Sequence, residues 1–416
     1  MYLHLLSGIK FRGGYKTLTF IYKTIALYLG DYFFILESIT FTIHEAIQDL
    51  PVTWNTIAKD NVFLQTPYLS VLEESSPVNM QCFYIAIYEK DQQIGVALAQ
   101  YIQSQQLSSF GDRDKCLRVY TRNFLLRHFA SNVLFIGNNM ITGQNGYAFS
   151  KKMNFSTISQ ILQECANHLI LYFKKQNINI HIVTFKDFYD DCSNELKKYY
   201  FKNIFEFNIQ PNMIFELNPE WKTKEDYIAV LSKKYRDQYK RSHKKFEGIV
   251  AHELSLEEIK IHEERIYALY HHVAKNAPFN TFFLSKHHFY TFKKQCGDGF
   301  KLTGYFLNDN LIGFHTLLLN GELLETYFLG YDESVQKENM LYLNMLYNMT
   351  EFGIRSQFKK IIFGRTALEI KSSIGAKPVV MSGFIYHRNT IINRFIHKIF
   401  ARLEPQISWQ QRHPFK

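Results

Sequence analysis

Cysteine is scarce in this chain, and the few present form no pattern. Cys82, Cys116, Cys165, Cys192 and Cys296 are five in 416 residues, widely spaced and without a CxxC pair. An odd, scattered set excludes a disulfide framework and reads as free buried thiols in a reducing compartment, so a cytoplasmic protein is expected. The histidines form no HExxH and no Cys/His ligand spacing, so no metal is expected. His271-His272 and His287-His288 read as helix-surface pairs. Long apolar runs are missing too. Residues 18–36 come nearest, but Lys23 and Asp31 interrupt them, which excludes a membrane span. No small-residue cleavage pattern follows, so a signal peptide is not expected either. Glycines cluster at 137–146 without a following Gly-Lys-Ser/Thr, which favours a hairpin over a phosphate loop.

What is present is apolar, aromatic and locally basic. Apolar residues make up 46% and charged residues 21%, and 37 Phe and 27 Tyr point to large aromatic cores. The aromatics do not interleave with basic residues as in single-strand nucleic-acid binders. The length suits two or three domains. The net charge of +10 is concentrated. In residues 231–245, Lys233, Lys234, Arg236, Lys240, Arg241, Lys244 and Lys245 face only Asp237. Such a block suits one anionic ligand or surface rather than a uniformly basic protein.

Taken in order, residues 1–40 stand apart as an N-terminal extension. A helix carrying Trp54 is expected over 43–60. Strands at 82–88 and 94–101 flank the polar turn 89–93, a polar insert covers 104–115, and another strand falls at 133–136. Ile158, Ile161, Leu162, Cys165, Leu169 and Tyr172 share one face of a helix over 156–176, and a strand follows at 178–185. The second half repeats this plan. Strands at 300–306, 311–319 and 322–329 are joined by turns at 308–310 and 320–321. A long helix with Leu343, Leu346, Tyr347, Thr350 and Ile354 on one face follows, then a strand at 359–363. Ile94-Gly95 and Ile312-Gly313 fall at the same place after the first turn of each half. The division is expected near residue 218, giving domains at 41–217 and 218–416. A basic helical pair over 223–276 opens the second, with capping-box patterns at Thr223/Asp226 and Ser255/Glu258. Residues 389–403 are amphipathic, and both docking on the core and lying on an anionic membrane face fit them.

The stretch 359–386 carries the most specific pattern. A strand ends at Gly364. A two-turn helix is expected over 366–373, with Thr366 and Glu369 as a capping box, and Gly375 and Pro378 stop it before a second strand at 379–386. Within it, Glu369-Ile370-Lys371-Ser372-Ser373-Ile374-Gly375 resembles the end of the second domain of the Fem-type aminoacyltransferases, part of the wider GNAT acyltransferase superfamily. The Tyr235-Arg236 basic run resembles their basic helix. The resemblance covers roughly 41–416.

That resemblance implies an α/β fold of two tandem GNAT-like domains, each a mixed, largely antiparallel sheet with flanking helices. It implies an enzyme that moves an activated acyl or aminoacyl group onto an amine in peptidoglycan or other cell-envelope metabolism. Lys371 matches the lysine held to stabilise charge at the reacting carbonyl, a sensible place for a cation when an amine attacks an ester or thioester. Arg236, Lys240 and Arg241 match the helix that meets phosphates, and Arg365 and Thr366 lie at the start of the short helix. The implied donor is acyl-CoA or aminoacyl-tRNA, with no further cofactor. The anionic partner would be a nucleotide-linked or lipid-linked precursor, CoA or tRNA, with peripheral membrane contact through 389–403. One departure stands out. Coenzyme-A-dependent members keep a glycine-rich turn before the long helix, and residues 330–339 here, GYDESVQKEN, lack it. Two alternatives remain open: an acyl-CoA-dependent N-acyltransferase of a small amine, and a non-catalytic pseudo-transferase that binds an anionic envelope precursor.

Overall fold

A computed structural model describes residues 18–20, 39–103, 130–276, 280–403 and 409–416. Cys116, the insert at 104–115 and almost all of residues 1–40 lie outside the described residues. Among the described residues, fourteen strands form one sheet: β1 Leu18–Phe20, β2 Ile39–His44, β3 Met80–Glu89, β4 Gln92–Gln103, β5 Asn132–Ile136, β6 Tyr147–Phe149, β7 Ile182–Tyr189, β8 Phe205–Glu216, β9 Ile249–Glu253, β10 Phe300–Leu307, β11 Asn310–Asn320, β12 Leu323–Tyr331, β13 Lys360–Gly364 and β14 Lys377–His387. The fold is mixed α/β, with a mostly antiparallel sheet and flanking helices.

One plan occurs twice. Hairpin β3–β4 turns through Lys90 and Asp91, and hairpin β10–β11 through Asn308 and Asp309; all four have positive φ. That is the two-residue turn whose twist matches the flanking strands. A bulge sits at the same register in both hairpins, between Ile87 and Tyr88 and between Tyr305 and Phe306, next to the pairs with Gly95 and Gly313. A third strand then pairs antiparallel, β5 on β4 and β12 on β11. A long helix crosses over, Phe155–Lys175 or Leu341–Arg355, and a strand returns parallel, β7 beside β5 and β13 beside β12. Each half closes with a short helix, Asp190–Leu196 or Leu368–Ser372, and a long last strand, β8 or β14.

The last strands are exchanged. The sheet runs β7-β14-β8-β13, so each final strand lies between elements of the other half. The exchange fuses the two sheets. One apolar cluster also spans both halves, joining Trp54, Tyr68 and Leu69 to Phe289, Phe292 and Phe314. Burying each such side chain contributes roughly 1.5–3 kcal/mol, so the halves are coupled through their core.

Four expectations need correcting. Residues 43–60 are not one helix: β2 extends to His44, and after Pro51 only Trp54–Ile57 is helical. The loop 137–146 is not a hairpin, because β5 and β6 pair with different stretches of β4 and not with each other. The first helix of the expected basic pair, opening at Thr223, breaks at Leu231 and Ser232 into Lys224–Val230 and Lys233–Lys245. The C-terminal tail takes that backbone, Leu231 bridging to Phe415 and the Ser232 N–H donating to the Pro414 carbonyl at 2.8 Å. His288 is core rather than surface. It hydrogen-bonds Ser75 Oγ at 2.9 Å and Tyr327 Oη at 3.1 Å, and burial pulls its pKa down to about 4. Both capping boxes, at Thr223/Asp226 and Ser255/Glu258, are formed.

Candidate active site

The sheet opens where β12 and β13 part. They pair only from Leu323–Lys360 to Glu325–Ile362. Beyond that point β12 continues along β11 to Tyr331, and β13 turns away through Gly364, Thr366 and Ala367, all at positive φ. Three left-handed residues so close together make a sharp exit. It leaves Thr366 outside the short helix, which begins at Leu368. The capping box expected between Thr366 and Glu369 is therefore absent, and Glu369 instead pairs with Arg412 of the tail.

Lys371 stabilises this exit. It is buried, and its ammonium donates to the carbonyls of Phe363 at 2.6 Å, Gly364 at 3.3 Å and Arg365 at 2.9 Å. Three donors meet three acceptors, so the side chain braces the turn from within. Burial pulls its pKa down to about 7.

A groove of about 600 Å³ lies against the outside of this turn. Lys234 and Gln238 of the basic helix, Thr366 and Glu369 beside the turn, and Met340 and Leu343 at the start of the long helix line it. Trp409 and Arg412 of the tail line it too. Gln238 bonds Ser373 Oγ at 3.3 Å and so ties the basic helix to the short one. The groove thus brings Thr366 beside the basic helix through Lys234. Lys240 and Arg241 are exposed and do not line it, and Arg236 donates to the Leu231 carbonyl at 2.5 Å.

The opposite face of β12 carries a buried carboxyl. Leu324 packs in the core under the long helix, so its neighbour Glu325 points to the other side, toward the first half. Glu325 is buried and accepts from Asn320 Nδ2 at 3.2 Å. Asn320 in turn accepts from the Val62 N–H at 3.0 Å, which ties the cluster to the first half. Burial pushes the Glu325 pKa up to about 7. Its charge and that of Asp187 both raise the pKa of Tyr189, which is itself exposed. Arg365 is ion-paired with Asp187 of β7. The Gly143 N–H donates to Asp187 Oδ2 at 3.3 Å, and Lys186 Nζ lies 3.9 Å from Asp187 Oδ1. Lys186 also donates to Asn139 at 3.3 Å, and burial pulls its pKa down to about 8. Asp187 Oδ1 and Arg365 Nε have no hydrogen-bond partner among the described residues.

Glu325, Lys186 and Asp187 were absent from the sequence-based site. A signal existed, since Glu325 is a lone charge in LLETYF and Lys186-Asp187 an adjacent pair of charges in the otherwise apolar strand IVTFKDFY. Among the described residues no group of three His, Cys, Asp or Glu is placed to hold a metal ion, and no helix is long and apolar enough to cross a membrane. Cys82, Cys165 and Cys192 are free and buried, and Cys296 is free and partly buried.

No protein-family model and no curated protein matches the chain. Solved structures of similar arrangement include FemX, at 12% identity and a TM-score of 0.49, covering 83% of this chain and 99% of that one. The C-terminal domain of a putative lysylphosphatidylglycerol synthetase from Agrobacterium fabrum is 8% identical with a TM-score of 0.46, over 82% and 95% of the two chains. A tandem GNAT protein from the clavulanic acid biosynthesis pathway is 9% identical with a TM-score of 0.44, over 76% and 86%.

Proposed function

We propose that the protein transfers an acyl or aminoacyl group from an activated carrier to an amine, at the parting of β12 and β13, in cell-envelope metabolism. Residues 41–217 and 218–416 are the two units in this reading. One observation carries it: a groove beside a basic helix lies on one face of the parting strands, and a buried carboxyl with a pKa of about 7 lies on the other. The carrier's anionic part lies against Lys234 and Arg412, with Lys240 and Arg241 extending the same positive surface. Its carbonyl reaches the turn at Arg365 and Thr366. Lys371 acts on that carbonyl through the backbone it holds in place, since its own donors are engaged. The amine arrives on the Glu325 face. Glu325 accepts its proton as the new amide bond forms and the carrier leaves. A base poised near the working pH is the efficient choice for this step.

The test is the pH dependence of transfer, with aminoacyl-tRNA and acyl-CoA each offered as donor. Turnover should rise with pH through about 7, and Glu325→Gln should abolish that limb and slow turnover about 10²–10⁴-fold. An unchanged profile in Glu325→Gln would remove Glu325 from the reaction.

A further inference from the structure

Outside this groove, the first half carries an exposed apolar face edged by cations. Three segments build it. The long helix Phe155–Lys175 ends with Leu171, which is 55% exposed, and Lys174 and Lys175 stand three and four residues on, over the same face. After helix Asp190–Leu196 come Tyr199 and Tyr200, both largely exposed, and then Lys202. The C-terminal arm, helices Thr390–Arg394 and Ile396–Leu403, supplies the third segment.

The arm has two faces. Ile396 is buried, and Phe400 packs on the rings of Phe205 and Phe207 at 5.9 and 5.2 Å, so these two fasten it to β8. Asn389 caps its first helix, and Asn393 accepts from the His387 N–H at 2.8 Å. Ile391, Phe395 and Ile399, spaced by four, remain exposed, Ile391 at 72%. They make an outward apolar stripe on an arm that is otherwise docked. A groove of about 700 Å³ joins the segments, lined by Leu171, Tyr200, Arg388, Thr390 and Asn393 among others.

Six cations stand on these segments, and the exposed acids Asp190 and Asp191 lie at the start of helix Asp190–Leu196. Lys174, Lys175, Lys202, Arg388, Arg394 and Lys398 are exposed and enter no ion pair among the described residues. Glu206 and Glu195 on this side are already paired, with Lys197 and Lys198. An apolar stripe rimmed by cations complements the interface of an anionic bilayer, where apolar side chains enter below the headgroups and lysines and arginines meet lipid phosphates.

We propose that this face binds the surface of an anionic phospholipid bilayer, with Ile391, Phe395 and Ile399 inserted and Arg388 on a lipid phosphate. The inference is independent of the transfer reading. It is tested by co-sedimentation of the full chain with vesicles of phosphatidylcholine alone and of phosphatidylcholine doped with phosphatidylglycerol. Binding is expected to the doped vesicles and not to the neutral ones, and it should weaken as salt is raised. Ile391→Ser/Phe395→Ser/Ile399→Ser and, separately, Arg394→Glu/Lys398→Glu should each weaken it by about tenfold or more, with unchanged thermal melting. Equal binding to both vesicle types, binding to neither, or wild-type binding by both variants overturns the proposal. So does size-exclusion chromatography without vesicles that shows a wild-type dimer which the triple variant converts to monomer, since the face would then serve a second copy of this chain.

Discussion

The two halves end their parallel strand pairs in the same way and fill the space beyond them differently. In the first half β5 and β7 part after Ile136 and Phe185. The gap is closed at once. Gly137, at φ +132°, lies so near the Lys186 carbonyl that a Cβ there would come within 1.9 Å of it. Behind it, Asp187 takes Gly143 N–H and the Arg365 guanidinium of the other half. In the second half β12 and β13 part after Glu325 and Ile362, and the exit is braced from inside by Lys371, so a groove stays open outside it. The same scaffold therefore gives a sealed end and an open one. The difference lies in where the charges sit: in the first half they fill the gap, and in the second they stand on either side of it.

Breaking the sealed end should have the largest effect. Arg365→Ala takes the guanidinium from the Asp187 carboxylate, whose side chain is fully buried, and leaves it only Lys186 at 3.9 Å. Urea unfolding should show a loss of about 3–5 kcal/mol. Arg365→Met combined with Asp187→Leu should recover part of it, because the buried carboxylate is gone and only Lys186 loses a partner. Equal losses in the single and double variants would mean that the pair is not what holds this end.

The brace at the open end comes next. Lys371→Met leaves three carbonyls without their donor and should cost about 1–3 kcal/mol by the same measurement. Turnover should fall about 10²–10³-fold while KM changes little, since the turn is positioned for the transition state rather than for binding. A rise in KM alone would make Lys371 a binding residue.

The third test uses pH to separate the two ends. Glu325 ionises near 7 in the folded protein against an ordinary value of 4.5, so between those limits the folded state holds a proton that the unfolded state has released. Its contribution to stability is full below about pH 4.5 and lost, by up to about 3 kcal/mol, as pH rises to 7, while His288, pulled down to about 4 from 6.5, contributes with the opposite sign between those values. Lys186, pulled down to about 8 from 10.5, and Lys371, pulled down to about 7, both add stability as pH rises toward 10.5. The difference between wild type and Glu325→Gln isolates the first contribution and should be flat above about pH 7. A wild-type slope persisting in Glu325→Gln would assign it to another group.

Lys240→Ala/Arg241→Ala should do least. Both residues are exposed and outside the groove, so thermal unfolding should move by less than about 0.5 kcal/mol. Affinity for an anionic carrier should fall less than in Lys234→Glu. The reverse ranking would shift the carrier from the groove to the outer face of the helix.

Much of the repeat was legible in the sequence because its signals are local. Polar turns between apolar runs marked both hairpins, helical spacing marked both long helices, and Thr223 and Ser255 announced helix starts that formed. The open end was only half legible. Lys371 and the following glycine stood out, yet Thr366 gave a false helix start. Arg412, 43 positions on, takes Glu369, and two left-handed residues precede the helix. The exchange of β8 and β14 has no local signature at all, since strand order is set by pairing across the whole chain. The Arg365–Asp187 pair, separated by 178 positions, was invisible for the same reason.

The contrast between a sealed end and an open one is tested most directly by thermal shift with candidate carriers: aminoacyl-tRNA, acyl-CoA and a nucleotide-linked muropeptide. A ligand that binds only the folded state at 100 times its Kd adds about 2.7 kcal/mol, an easily measured rise in Tm. One carrier should raise the Tm of the wild type, and Lys234→Glu, which reverses a charge lining the groove, should abolish that rise. A carrier that stabilises Lys234→Glu as strongly as the wild type would place the donor outside the groove and contradict the account.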